Sequence, residues 1–599
     1  MADNKRSDVG ELRTLLRRPD VQRDPRKYLQ AVQKVIACMT LGIDVSKLFS
    51  EMIMAVATPN LVQKKLVYLY LSNYAQTNSE VALLTVNTMQ KDCQDRNPVV
   101  RGLALRSMCS LRLPSLLEYL REPLQTGLGD RSAYVRKTAV MGIIKVFYIA
   151  PHFITELNLV DILYQMLRDK DPQVVSNCIS VLDEILAREG GIILNSKIAH
   201  YLMNRLRDFS EWGQCQVLDL LTRYSPNSNE EVYDILNVLD DRLRHANLGV
   251  VLGAVRLFLH LTEHMPHLHK DVHDRIKVPL LTCLGSHSPE LVYTCLQHVQ
   301  LLLAKETSSF FDSYQTFYCR YNDPPYVKMK KVELLTELCN AGNAESIVSE
   351  LGEYATDVNV LVAKQAIRAI GQISLQLSTR ANTCVDKLLS LLTMDIDYVT
   401  SETLVAMTNI LRKFDDMIEV ILPQLPTSFD TITDPEGKAA LLWILGEYGE
   451  SLSNTPYVLE EVVNNMGDEA SSEVKLQLLT AVMKMFMKRP PECQDMLGRL
   501  LEHAIDEEGD MDVHDRGMLY YRLLKHSVQE ARRVVCGQHR MVTSKNTIIP
   551  RLSLFPEFNT LSVMYGKPSF NFISQQVPYI ITASDTSRGA GNAQFYIMY

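Results

Sequence analysis

Apolar residues recur every three or four positions in short blocks along this chain, and the blocks themselves recur. In "DRNPVVRGLALRSMCSL", residues 95–111, the apolar set is Val100, Leu103, Ala104, Met108 and Leu111. That spacing places all five on one face of a helix. Asn97 supplies a cap, and Pro98 occupies the first helical position, where its missing N–H costs nothing. The same grammar returns in "DRSAYVRKTAVMGIIKV" from Asp130, "DKDPQVVSNCISVLDEI" from Asp169, "SHSPELVYTCLQHVQLL" from Ser286, "NDPPYVKMKKVELLTEL" from Asn322 and "TDPEGKAALLWILGEY" from Thr433.

A marker set two residues past the proline slot falls at Lys27, Val62, Val100, Val135, Val174, Gly213, Val250, Leu291, Val327, Val362, Val399, Gly437, Val474 and Gly517. Successive markers lie 35 to 43 residues apart. A unit of that length holds two helices and two turns, and one such hairpin cannot bury its apolar face without neighbours. The pattern therefore predicts an all-α, HEAT/armadillo-like α-solenoid of about fourteen helical hairpins over residues 1–540. Beyond Arg540 the grammar fails. Residues 541–576 are expected to cap the solenoid, and the small, polar, Gly-rich residues 577–599 to form a disordered tail.

Composition sharpens this reading. At 599 residues the chain is too long for one compact core, and its 46% hydrophobic content argues against disorder. Aromatic content of 7% suits helix-on-helix packing better than sheets. A net charge of -8 argues against wholesale nucleic-acid binding and leaves room for a local basic face. Twelve scattered cysteines, with no CxxC pair, read as reduced thiols of a cytosolic protein. No apolar run reaches the roughly 18 residues of a membrane span, so a membrane would be met peripherally.

Candidate chemistry is sparse. His260-Leu-Thr-Glu263-His264 matches the H-x-x-E-H zinc pattern. It also reads as a repeat helix running into the Pro266 turn, where histidine suits the negative end of the helix dipole. A zinc peptidase needs a third ligand and a cleft, so no metal is expected. No phosphate-cradling glycine loop or nucleophile elbow occurs, and neither a catalytic residue nor a cofactor is expected. "LLTMD", 391–395, fits short clathrin-binding patterns, but its leucines sit at core phase and clathrin binding is not expected. Basic residues crowd the N-terminal repeats: Arg13, Arg17, Arg18, Arg23, Arg26, Lys27 and Lys34, then Lys64, Lys65, Arg101, Arg106, Arg136 and Lys137. Ordinary solvated helix surface is one reading. The other is a face that docks on anionic lipid or an acidic partner, for which Arg17, Arg18, Arg26, Lys27, Lys34, Lys64 and Lys65 are the candidates.

Particular wording carries more than the period. "QKKLVYLYLSNYA" (63–75), "NPVVRGLALRSM" (97–108), "EWGQ" (211–214), "YNDPPYVKMKKVELL" (321–335), "AIRAIGQI" (366–373), "WILGEYGE" (443–450) and "DRGMLYYRLL" (515–524) resemble the trunk of beta-adaptin large subunits of tetrameric adaptor complexes. The resemblance runs in order over about residues 10–570. "REGGIILNSKIAHYLMNRL" and "RPPECQDMLGRLLEHAIDEE" are most similar to beta subunits of the fourth, clathrin-independent complex. It implies a scaffold that assembles with a second large adaptin, a medium chain and a small chain, is recruited by an Arf-type small GTPase, and serves cargo selection by sorting signals from the trans-Golgi network to endosomes. The hinge and ear usual after such trunks are not expected in this chain. The alternatives are a beta subunit of a clathrin-associated complex, a generic HEAT scaffold such as a nuclear-transport protein, and a metallopeptidase.

Overall fold

A computed structural model of the chain describes residues 2–305, 308–394, 396–425, 432–507, 509–537, 551 and 553–573. Every regular element among them is helical, and the architecture is a HEAT/armadillo-like α-solenoid. The described residues divide into two compact units, one running to Pro266 and the other from His267 to Ile573. The tail expected over 577–599 lies outside the described residues.

All fourteen markers fall on helices, and each marker helix is followed by at least one further helical element before the next. Twelve markers are the third residue of their helix, from Lys27 in Pro25–Thr40 to Val474 in Ser472–Lys488. The phase slips at three places beyond the first marker, Lys27, which is itself exposed. In the first unit, Val62 is exposed while Gln63 is buried; in the second, Leu291 is exposed while Val292 is buried. In the last repeat the third residue is the buried Val513, one turn ahead of Gly517, because Asp510 caps the helix Met511–His526.

Within each unit the marker helices pack on one another: Pro98–Ser110 on Ala133–Phe147 in the first, Pro435–Tyr448 on Ser472–Lys488 in the second. The second contact is close enough to need glycine. A Cβ added to Gly446 would lie 2.7 Å from the Ala481 Cα, and on the neighbouring contact with Asp397–Leu411 one added to Gly437 would lie 2.6 Å from the Ser401 Cα. Glycine's helix penalty of about 1 kcal/mol is offset by the backbone approach it permits.

Adjacent repeats are also tied by charge. Arg101 Nε and Nη2 donate to both carboxylate oxygens of Asp130, each at 2.8 Å, and Nη1 reaches the Asp95 carbonyl at 2.9 Å. One repeat on, Arg136 holds Asp169 at 2.7 and 2.8 Å and the Asp130 carbonyl at 2.9 Å. Each acid also caps its own turn: Asp130 Oδ1 accepts from the Ser132 N–H at 2.7 Å, and Asp169 Oδ1 from the Asp171 N–H at 2.8 Å. The second unit repeats the device with lysine, Lys328 on Asp357 and Lys438 on Glu469, each at 2.6 Å. The cation sits one residue after the marker every time, so the apolar face and the ladder share a single register.

The described part of segment 541–576 returns to the middle of the second unit. Phe558 meets His298 edge-on with ring centroids 4.9 Å apart, Lys305 lies 4.4 Å over the Phe555 ring, and Arg551 pairs with Glu337. These residues therefore rest on helices Pro289–Lys305 and Pro325–Glu337, more than 200 positions back along the chain.

Candidate interaction surface

The N-terminal basic candidates separate into structural and exposed groups. Lys64 is buried: its ammonium pairs with Asp92, which also accepts from the Tyr68 hydroxyl at 2.5 Å. A buried, paired lysine cannot face a bilayer, so Lys64 is removed from the basic surface. Arg17, together with Arg13, donates to the buried Glu51 carboxylate, at 2.8 and 2.9 Å respectively. Burial alone would raise the Glu51 pKa, but these guanidinium bonds overcome it and hold the carboxyl below its usual range. Arg17 thus clamps the first helix onto Phe49–Met54 while keeping its outer edge in solvent.

Arg18, Arg26, Lys27, Lys34 and Lys65 are exposed, as is Arg23. Lys27 and Lys34 stand two turns apart on one face of Pro25–Thr40, and the nearest acid to Lys27 is Asp24 at 4.0 Å. Lys65 lies between Leu61 and Leu69 on one face of Leu61–Tyr74, and both leucines are exposed. Leu84, at 71% exposure, and Val99 add to the apolar side chains displayed by these first repeats. Arg101 and Arg136 belong to the repeat ladder instead.

His260 ends the helix Leu248–Leu261, with Glu263 and His264 in the turn beyond, and all three side chains are exposed. Among the described residues no group of three or more His, Cys, Asp or Glu side chains converges in a way that could hold a metal ion. Leu391 is fully buried and Leu392 half-buried at the end of Ala381–Leu392; Asp395 of that motif lies outside the described residues. No described helix is long and apolar enough to cross a membrane.

Residues 5–528 match the family model of the adaptin N-terminal region. The chain belongs to the adaptin family. Beta-adaptin-like protein A of Arabidopsis thaliana is 44% identical to this adaptin over 594 residues, covering 95% of this chain and 70% of that protein. AP-4 complex subunit beta-1 of Mus musculus is 43% identical over 571 residues, covering 95% and 77%. AP-1 complex subunit beta-1 of Homo sapiens is 36% identical, and this adaptin spans 60% of its length. A chain described as a homology model of the full-length AP-3 complex in an intermediate open conformation shares the fold, with a TM-score of 0.54 at 20% identity over 87% of this chain and 93% of that one. By these likenesses the adaptin is a beta subunit of an adaptor complex.

One surface was missed by the sequence reading. A groove of about 790 Å³ crosses helices Pro98–Ser110, Ala133–Phe147, Pro172–Ile185 and Glu211–Leu221, and Trp212 stands in it 87% exposed. The signal was present in "EWGQ": Trp212 directly precedes the buried marker Gly213, so a large indole falls out of core phase.

Proposed function

We propose that this adaptin is the beta subunit of a heterotetrameric, clathrin-independent adaptor complex that supports cargo selection and vesicle-mediated transport from the trans-Golgi network to endosomes. The observation that carries the reading is the likeness to adaptor beta subunits over 95% of the chain, at 43% identity to an AP-4 subunit against 36% to an AP-1 subunit. Its work is gripping: helical repeats give long side-chain surfaces on which a second large adaptin, a medium chain and a small chain assemble without any catalytic step or cofactor.

Membrane recruitment is assigned to the first repeats. Arg18, Arg26, Lys27, Lys34 and Lys65, with Arg17 at the edge, form the cationic side, and exposed Leu61, Leu69 and Leu84 give an Arf-type small GTPase an apolar contact. The complex is then cytoplasmic and peripheral, held at the coat by partners rather than by a span. Sorting signals are met through the assembled complex, and residues 541–576 cap the trunk over residues 1–540. The test is recruitment of the purified complex to liposomes. Binding that requires both phosphatidylserine and a GTP-loaded Arf-type GTPase supports the reading; equal binding to neutral, GTPase-free liposomes refutes it.

A further inference from the structure

The groove around Trp212 is a second kind of surface, lying wholly within the first unit. Its exposed apolar elements are Trp212, Met141 and Tyr134, above a floor that includes the buried Phe209 and the glycines Gly142 and Gly213, against which the Cys109 and Ser176 side chains pack. Trp212 projects from the first turn of its helix with almost its whole ring in solvent, which costs hydrophobic free energy unless something covers it.

The charges in the groove are unbalanced. Arg106, Lys137 and Lys145 all line it. Among the described residues none of them meets a carboxylate: Lys137 donates to the Gln173 side-chain oxygen at 2.7 Å and Lys145 to the Ser110 hydroxyl at 2.7 Å. The acid present, Asp208, is already paired with Arg205 at 3.1 Å. Burial, with the Arg106 and Arg112 charges adding to it, presses the Lys145 pKa below its ordinary value. An incoming anion would relieve that strain, and this stands out on a chain whose net charge is -8.

The third feature is a row of amides and hydroxyls along the wall: Gln173, Ser176, Asn177, Ser180 and Gln216. Three of them form a chain in which Ser176 Oγ donates to Gln216 Oε1 at 3.0 Å and Gln216 Nε2 donates to Ser180 Oγ at 2.6 Å. Such groups can exchange hydrogen bonds with an unpaired peptide backbone, which an extended segment offers and a helix does not.

From the uncompensated cations, the exposed indole and the amide wall together, we infer that this groove binds an extended acidic peptide segment carrying an aromatic or aliphatic anchor that packs on Trp212. The occupant is an acidic segment of a partner protein, named by the charge complementarity of the groove. Its carboxylates meet Arg106, Lys137 and Lys145, and its backbone runs along Gln173 to Gln216. The inference goes beyond the assembly role: subunit co-purification succeeds or fails without reference to peptide binding.

The experiment uses the full chain and a fluorescein-labelled decapeptide of Asp and Glu with one central phenylalanine, read by anisotropy. A second reading uses Trp443→Phe, which leaves Trp212 as the sole tryptophan. Occupancy should shift Trp212 emission to the blue and shield it from acrylamide. Trp212→Ala, Arg106→Glu and Lys137→Glu should each weaken binding at least tenfold, as should replacing the peptide's phenylalanine by alanine, while Lys27→Glu with Lys34→Glu should leave it unchanged. Absence of binding, binding indifferent to Trp212 and Lys137, or protection of Trp212 by phosphatidylserine vesicles in place of the peptide would each overturn it.

Discussion

Arg101 and Asp130, 29 positions apart, form a two-pronged ion pair that recurs one repeat later as Arg136 and Asp169. The pairs are mostly shielded from water, with side-chain exposures of 19 and 13% for the first and 17 and 10% for the second. Removing one partner strands a shielded charge, so Arg136→Ala should cost about 3 kcal/mol. Hydrogen exchange should then show residues 130–170 opening before the rest of the first unit. A ladder that only decorates the surface would leave exchange there unchanged.

The same pairs give the fold an acid limit. The Arg101 hydrogen bond leads in holding the Asp130 pKa below its ordinary value; at Asp169 burial opposes, and Arg136 and the Asp171 N–H overcome it. A carboxyl depressed on folding stabilises the native state above its unfolded pKa of about 4, and that stability is lost as pH falls through the folded value. Thermal unfolding should therefore be flat near neutrality and fall steeply below about pH 4, and Asp169→Asn should flatten that acid slope.

Lys64 and Lys65 are neighbours in sequence with opposite expected effects. Lys64→Ala leaves Asp92 buried without its cation and should lower stability by about 3 to 5 kcal/mol. Lys65→Glu combined with Lys27→Glu and Lys34→Glu should leave the melting temperature within a few degrees of the parent. Each charge near an anionic bilayer contributes about 1 kcal/mol, so even before counting the repulsion from the new acids the triple variant should bind phosphatidylserine vesicles about a hundredfold more weakly. Vesicle sedimentation and melting curves, run on both proteins, separate the two roles.

Gly446 marks the closest backbone approach between Pro435–Tyr448 and Ser472–Lys488. Gly446→Val places its Cβ against the Ala481 Cα and should destabilise the second unit by about 1 to 3 kcal/mol despite valine's better helix propensity. Urea unfolding of Gly446→Val beside an exposed-site control tests this; an unchanged midpoint would show that the helices can separate freely.

His298 is buried against Phe558, its Nδ1 lies 2.7 Å from the Thr294 carbonyl, and burial pushes its pKa down to about 4. A histidine kept neutral on folding stabilises the native state fully above its unfolded pKa of about 6.5. As pH falls from there toward 4 the unfolded chain takes up the proton first, and stability declines. Protease cleavage within residues 553–573 should therefore accelerate between pH 6.5 and 4, and His298→Phe should reduce that dependence.

Much of this architecture was legible because local grammar and global packing share one register. The cap, the proline slot and the apolar stripe located every marker helix, and the slips at Val62 and Leu291 shift the buried face by a single residue. Partners distant along the chain were not legible. Nothing near Lys64 announces Asp92, 28 positions on, and nothing in the wording of residues 551–573 points to His298 or Glu337. Charge counting grouped Lys64 with Lys65 because both are basic and adjacent; only the fold distinguishes the buried face from the exposed one. Trp212 was read as family wording, although its place beside a buried glycine marks it as outward-facing.

The most direct measurement is affinity purification of the full chain from cytosol, with the co-purifying proteins identified and their stoichiometry determined by mass spectrometry. The account predicts one copy each of a second large adaptin, a medium chain and a small chain of a single adaptor type. Recovery of the chain as a monomer, or with a soluble client and no adaptor subunits, would contradict it.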